Sequence, residues 1–585
     1  MFDAQQENIQ KRYALLWVFV ICVFLVRLFV VFFSGIPLGV DEIQYAVWSK
    51  HVAWGYHSKP PFIAWVIASS TALIHGYPLA QVRLFSPVCY LITSILLYAT
   101  AKRLFCREVA AWVLFSFTVL LAVSFGALLM STDALLLMFW SLALYLCVRV
   151  LEKSSVFNWV ILGIAIGVGS LAKYTALIFW VSLIVFFIIQ SDKRYLLKSP
   201  YLYLSILISA AVLLPNILWN AQHHFASLGH LLHHNVNITG PSFHLGRLFN
   251  FLFSQLGVFS PIFFPLLIWL LFRKSYVNQD WRFNFLRCFS LIMLVAICIE
   301  ALLARAYANW AVVAYASGII VVVHYLVTSK QQVWLKINAY AMVLVMCVVY
   351  IAILAVGINH LPHKWVPKTL RRSHAWKLFG HDVAMLHQIY PHAKFIFNDR
   401  KYWAPIVYYS GIPYNQILAY DNAFDFAADT VASFLNYHVD SYIQLSPHTD
   451  IANTMKLLKI HYIDGRFWAV STYHWMDYPT EFVTEYHPLF AGPSYYVSGY
   501  DNTTFQSFYS FYRLSLSHLY MTAPLTQRSL LHEVPLHQQY IYITDRMYPE
   551  LSLPLSFHIE PLNNMLPNLP HSEVINAYLL KPKEL

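Results

Sequence analysis

Eleven long apolar runs dominate the first 358 residues, and they fix the class of chain before any single motif is read. A run of about 18 or more apolar residues is a candidate membrane helix. The runs lie near 13–33, 80–101, 109–128, 134–151, 156–172, 174–191, 200–220, 247–272, 285–304, 308–328 and 337–358. Only 11% of the 585 residues are charged, against about 25% in ordinary soluble domains. So little charge cannot cover a water-facing surface, which excludes a soluble enzyme and a disordered scaffold. The mean hydropathy of +0.54 agrees. The expectation is a polytopic α-helical membrane protein with about eleven crossings. The first run starts late and no small-residue cleavage site follows it, so it reads as a retained anchor.

The formal net charge of +11 divides unevenly. Residues 1–358 carry +13 and residues 359–585 carry −2. The excess therefore sits between apolar runs, where it sets topology, and does not point to nucleic acid. Lys11, Arg12, Lys102, Arg103, Arg107, Arg149, Lys153, Lys193, Arg194, Lys198, Arg273, Lys274, Arg282, Arg287, Lys330 and Lys336 fall before the first run or in alternate loops. By the positive-inside rule these are cytoplasmic. The opposite loops hold chiefly Lys50, Lys59, Lys173 and Arg305. With eleven crossings, residues 359–585 lie outside the cytoplasm. In a bacterium this is an inner-membrane protein facing the periplasm.

Two outward loops are long. Residues 34–79 are rich in Trp, Tyr and apolar residues, which predicts short interfacial helices. Residues 221–246 hold six histidines, His223, His224, His230, His233, His234 and His244. Three have helical spacing, but no Asp or Glu lies between residues 193 and 279, so a metal site there is disfavoured. The tail 359–585 differs in texture. Strand-like runs at 394–399, 440–446 and 539–545 and a helical stretch at 373–390 predict an α/β or α+β domain. All seven cysteines precede residue 359, so no disulfide framework holds that domain. No nucleotide-binding fingerprint appears.

Charge at the outer ends of the runs carries the chemistry. Asp41 and Glu42 close the first run. A carboxylate at a partly apolar interface suits a general base; a solvated helix-end pair is the plain alternative. Asp133, at the start of the fourth run, has a position suited to helix capping, but topology puts it at the depth of Asp41. Lys59 stands before Pro60-Pro61, which hold it in place to bind a phosphate. Arg83, Lys173 and Arg305, with Tyr307, Asn309 and Trp310, complete a basic rim around two acids. Tyr45 and Tyr56 are further candidate substrate contacts. Arg27, inside the first run, is expected to pair within the bundle. The outer face holds no pool of soluble activated sugar, so a donor there must carry its leaving group already attached, as a lipid-linked phosphosugar does. A carboxylate would deprotonate the acceptor, and the cations would stabilise the departing phosphate.

The ordered set Asp41-Glu42-Ile-Gln-Tyr45-Ala-Val-Trp48, Trp54-Gly55-Tyr56-His-Ser-Lys59-Pro60-Pro61, Val82-Arg83-Leu84 and Thr132-Asp133-Ala-Leu135 resembles the dolichyl-phosphate-mannose-protein mannosyltransferase-like membrane glycosyltransferases. Their bacterial members include the aminoarabinose and galacturonic acid transferases of lipopolysaccharide. Leu171-Ala-Lys173, Pro215-Asn-Ile-Leu-Trp219-Asn220, Ala308-Asn309-Trp310, Asn398-Asp399-Arg400 and Tyr408-Tyr409 extend the resemblance. It implies a glycosyltransferase-C fold and inverting transfer from a polyprenyl-phosphate sugar to lipid A or lipopolysaccharide, another glycolipid or protein. It implies Asp41 as catalytic base, Asp133 as supporting acid and Lys59 as phosphate ligand, with Lys173 and Arg83 in substrate contact. No cofactor is required by that route; a divalent metal is left open. Rival readings are a lipid-linked polysaccharide ligase or polymerase and a non-catalytic lipid transporter or flippase. The first predicts arginine-rich outer loops, and the second predicts midplane charge and repeat symmetry; neither pattern is present.

Overall fold

The computed structural model describes most of residues 2–357; residues 57, 224, 226, 228–242, 274–279 and 305 lie outside the description. Beyond 357 it describes parts of 377–391 and residues 394–397, 400–413, 417–419, 460–463, 466–469, 540–544, 557–561 and 576–582. The chain forms two units, Met1–Leu370 and Arg371–Leu585.

The first unit is a helical bundle. Its elements are α1 (Phe2–Phe33), α2 (Val40–Trp48), α3 (Phe62–Leu73), α4 (Pro78–Arg83), α5 (Phe85–Leu104), α6 (Arg107–Val119), α7 (Leu121–Gly126), α8 (Thr132–Glu152), α9 (Val156–Ala172), α10 (Ile178–Ile189), α11 (Pro200–Gln222), α12 (Leu245–Phe259), α13 (Phe263–Phe272), α14 (Trp281–Leu303), α15 (Ala314–Thr328) and α16 (Gln332–Gly357). Single 3-10 turns precede α10 and α15, at Tyr174–Leu177 and Ala308–Val313.

Seven described helices are long and apolar enough to cross a membrane, or eight if the bent pair α12–α13 counts as one span. The expected eleven crossings are matched by this number of full-length apolar helices only in part. The remaining runs do fold as helix, but they are cut short. Leu120 leaves the helical conformation and ends α6 after 13 residues, about 20 Å at 1.5 Å per residue, against an apolar layer of about 30 Å. The extended backbone of Lys173 separates the 17 residues of α9 from α10. Between α12 and α13, Ser260 has φ of +96° and the axes turn by 115°.

Tight packing against α11 explains why α9 can be short. Gly163 and Gly167 stand four apart on α9, one above the other. A Cβ on Gly163 would meet the Ser205 carbonyl oxygen at 2.4 Å, and one on Gly167 would meet Val212 Cβ at 2.7 Å. Small residues at this spacing let two helix backbones meet, which in lipid supplies the packing that the hydrophobic effect does not. At one end of the bundle Arg103 pairs with Glu152, and Arg282 donates to the Leu104 carbonyl. Inside it, Arg27 is buried as expected, donating to the Tyr350 hydroxyl at 2.8 Å and the Thr118 carbonyl at 2.6 Å.

In the second unit, β1 (Lys394–Phe397), β2 (Ile417–Ala419), β5 (Tyr540–Thr544), β6 (Phe557–Pro561) and β7 (Asn576–Pro582) form a mixed sheet in the order β2-β1-β5-β7-β6. β1 lies parallel to β2 and β5; β7 runs antiparallel to β5 and β6. β3 (Ile460–Ile463) and β4 (Arg466–Ala469) make a separate hairpin pair, and α17 (Arg400–Tyr409) follows β1. The strand expected at 440–446 lies outside the described residues.

Gly163→Leu is expected to wedge α9 from α11. The destabilisation should be about 1–3 kcal/mol, read as a lower melting temperature in detergent. An exposed control, Gly76→Ala, is unsuitable because Gly76 has φ of +82°; Gly246→Ala, where a Cβ meets nothing within 4 Å, should leave the melting temperature unchanged.

Candidate active site

The loop between α1 and α4 is built around one buried ion pair. Glu42 and Arg83 are 4% and 3% exposed. Arg83 grips both carboxylate oxygens, Nε to Oε1 at 2.8 Å and Nη2 to Oε2 at 2.6 Å. Its other donors reach the carbonyls of Ile36 and Pro37. Glu42 also accepts the Gly39 N–H at 3.0 Å, as the third residue of a capped helix, and the Met130 N–H at 3.0 Å. One carboxylate thereby ties together the start of α2, the chain leaving α1, and the segment entering α8.

That pin orients its neighbours. Successive helical residues differ by about 100° in direction, so holding Glu42 inward turns Asp41 outward, and Asp41 is exposed. Glu42 to Trp48 of α2 are buried. The helix is part of the protein core and not one resting on the membrane, which corrects the expected interfacial helix over this segment. Tyr45 packs against Trp48 at 5.5 Å. Tyr56 stacks on Trp48 at 4.6 Å; its hydroxyl is satisfied by the carbonyls of Trp48 and His51 and by the Ala53 N–H. Tyr45, Tyr56, Arg83 and Glu42, the expected substrate and catalytic groups of this loop, are thus buried and held by contacts inside the protein.

α11 holds the far side of the loop. Asn216 donates to the Trp54 carbonyl at 2.7 Å and accepts from the Tyr174 hydroxyl at 2.7 Å. Asn220 accepts the Ser227 N–H, and Ser227 donates its hydroxyl to the Tyr56 carbonyl. Gly55 must lack a side chain here, since a Cβ would lie 2.3 Å from the Trp219 ring. These contacts end in a tight turn, in which the Tyr56 N–H donates to the Lys59 carbonyl at 3.1 Å. Lys59, half-buried, therefore sits at the entrance of α3, where unpaired backbone N–H groups favour an anion.

The second acid is equally well held. Asp133 is 7% exposed. Ser131 takes the N-cap position of α8, so the Asp133 carboxylate is not spent on capping. It pairs with Lys173 at 2.8 Å and accepts from Asn309 Nδ2 at 2.5 Å. The break after α9 aims Lys173 at this acid, and its ammonium also lies 5.4 Å above the Trp310 ring. The structure thus joins Asp133, Lys173, Asn309 and Trp310 in one cluster. Asn309 is expected both from the rim with Arg305 and from the run Ala308-Asn309-Trp310; Arg305 itself lies outside the described residues. Of the histidine loop, His223 stacks on Trp219 at 4.0 Å, and His224, His230, His233 and His234 lie outside the description. Among the described residues no group of three or more His, Cys, Asp or Glu side chains could hold a metal ion.

The helical bundle thus carries a buried Glu42–Arg83 pair and an Asp133–Lys173 pair at its candidate site. Residues 58–219 match the family model described as dolichyl-phosphate-mannose-protein mannosyltransferase, so the resemblance read from the motifs is borne out. The lipid A galacturonosyltransferase RgtD of Rhizobium johnstonii is 31% identical over 304 residues, 50% of this chain and 61% of that protein. The lipopolysaccharide core galacturonosyltransferase RgtA of the same organism is 25% identical over 188 residues, 31% of this chain and 37% of that protein. The match thus spans less than two thirds of either relative. In fold, the chain is similar to the crystal structure of ArnT from Cupriavidus metallidurans bound to undecaprenyl phosphate, with a TM-score of 0.52 and 15% identity over 96% of this chain and 97% of that one.

Removing one member of a buried ion pair strands the other charge at a cost of about 3–5 kcal/mol. Glu42→Ala is therefore expected to lower thermal stability sharply. Asp41→Asn, at an exposed position, should leave it unchanged. Melting curves of the two purified variants check this.

Proposed function

We propose that this protein is an inverting glycosyltransferase that moves a sugar from a polyprenyl-phosphate donor to a lipopolysaccharide-type glycolipid on the outer side of a bacterial inner membrane. The observation that carries this reading is the arrangement of Asp41, exposed beside the pinned Glu42–Arg83 pair, with the Asp133–Lys173–Asn309 cluster and Lys59. Asp41 takes the proton of an acceptor hydroxyl or amine. The acceptor atom then bonds to the anomeric carbon from the face opposite the phosphate. The bond between that carbon and the phosphate oxygen breaks, and its electron pair leaves with the polyprenyl phosphate. Lys59, at the amino end of α3, and Lys173 stabilise the charge that develops on the leaving group. Asp133 and Asn309 hold Lys173 in place.

Relatives support the substrate class. The named activities of RgtD and RgtA concern lipid A and lipopolysaccharide core, and the ArnT structure holds undecaprenyl phosphate. Orientation follows from charge. The basic residues of the Arg103–Glu152 and Arg282 end belong to the cytoplasm by the positive-inside rule. Asp41 and Asp133 then face the periplasm, as do residues 359–585, which we read as an extracytoplasmic domain that contributes to acceptor choice.

Two measurements test this. Asp41→Asn should reduce transfer at least about 100-fold, the scale of general-base catalysis, in membranes supplied with polyprenyl-phosphate sugar and lipopolysaccharide. Full activity of that variant would exclude Asp41 as the base. A phosphatase reporter joined after residue 400 should be active only outside the cytoplasm; a cytoplasmic signal would reverse the topology.

A further inference from the structure

The run Pro215-Asn-Ile-Leu-Trp219-Asn220 on α11 has no part in the transfer chemistry above. Yet its side chains reach both segments that carry the lysines of the site. Asn216 and Asn220 stand four apart, on one face of the helix. Both are buried, and buried amides are held by hydrogen bonds.

Tyr174, the residue after Lys173, supplies their common partner. Its hydroxyl has one proton and gives it to Asn216 Oδ1 at 2.7 Å. The same oxygen accepts from Asn220 Nδ2 at 3.2 Å. Asn216 in turn donates to the Trp54 carbonyl at 2.7 Å. Turned over, that amide would set its oxygen against a carbonyl, so its direction is fixed. Asn220 divides its two N–H donors between Tyr174 and the Asn216 carbonyl, and its oxygen accepts the Ser227 N–H at 3.2 Å. Ser227, also buried, donates its hydroxyl to the Tyr56 carbonyl at 2.6 Å. The Tyr56 N–H then donates to the Lys59 carbonyl at 3.1 Å. A line of hydrogen bonds therefore runs from the residue beside Lys173 to the backbone of Lys59. It does not pass through the Lys173–Asp133 pair.

We propose that Tyr174 is a positioning residue: its hydroxyl, through Asn216, Asn220 and Ser227, sets the backbone of Lys59 relative to that of Lys173, and so the fit of the two lysines to one donor phosphate. This inference rests on the reading of Lys59 and Lys173 as phosphate ligands. Groups that share a ligand must be held to within about 0.5 Å. A lysine on its flexible four-carbon stem does not supply that precision by itself; the backbone beneath it must. The role of the α11 run is thus to join two distant stretches of chain, and Tyr174 is where they meet.

The test is binding of undecaprenyl phosphate to the full-length protein in lipid nanodiscs, followed by tryptophan fluorescence. Tyr174→Phe keeps the ring, removes the hydroxyl and strands no charge. It is expected to bind the probe about three- to tenfold more weakly than the parent, the scale of one or two lost hydrogen bonds. Ser227→Ala, further along the line, should weaken binding about two- to fivefold. A double-mutant cycle with Lys59 separates positioning from general support. In a Lys59→Gln background Tyr174→Phe should change binding less than about twofold, because the line then ends on a side chain that no longer holds phosphate. Parent-like binding by Tyr174→Phe overturns the proposal. Equal weakening in both backgrounds also overturns it, since the hydroxyl would then support the fold at large. Should Tyr174→Phe fail to fold, Ser227→Ala in the two backgrounds decides by the same criteria. If Lys59→Gln alone binds the probe as well as the parent, the reading of Lys59 as a phosphate ligand fails, whatever Tyr174→Phe does, and this proposal fails with it.

Discussion

The Glu42–Arg83 pair is the constraint on which the rest of this end of the bundle depends. Two charges buried at the edge of an apolar layer are costly unless every donor and acceptor is matched. Here the matching is nearly complete, and the partners come from four separate stretches of chain, 36–39, 42, 83 and 130. The loop can therefore take few other shapes without stranding a charge. Its rigidity passes to the two groups that flank it in sequence, Asp41 directly and Asp133 through Met130. A site that must hold a base within a fraction of an ångström of an acceptor benefits from such a frame.

α9 and α11 give the frame its second wall. Gly163 and Gly167 bring α9 against α11, and this contact carries Lys173 to one side of the site and Asn216 and Asn220 to the other. The same short α9 that fails as a full-length span ends early enough for Lys173 to turn back toward Asp133. Helix length and site geometry are thus one feature. An α9 extended by a turn would carry Lys173 about 5 Å further along its axis, away from the acid it now meets at 2.8 Å.

Much of this was legible in the residues. The apolar runs located the longer helices of the first unit, because in so apolar a chain the polar interruptions are the loops. Composition does not reveal where a run breaks, as at Leu120 and Lys173. The site was legible for a related reason. A charge at the end of an apolar run is expensive, so Asp41, Lys59, Asp133 and Lys173 stood out. What sequence could not show is which way a side chain points. Tyr45, Tyr56, Glu42 and Arg83 share the loop of Asp41 and look equally available, yet the fold spends them on the interior. Asn309, an uncharged amide, was marked only by its neighbours and by the run Ala308-Asn309-Trp310.

The division between Asp41 and Glu42 shows how one fold draws two roles from adjacent, chemically similar acids. A carboxylate that accepts four hydrogen bonds, as Glu42 does, has its lone pairs engaged inside the protein. Its neighbour Asp41, turned outward by the same helix, is exposed. Exchanging the two would require Arg83 to follow, and Arg83 is fixed by the Ile36 and Pro37 carbonyls as well. The order of exposed acid and buried pin along α2 is therefore set by the backbone around Arg83.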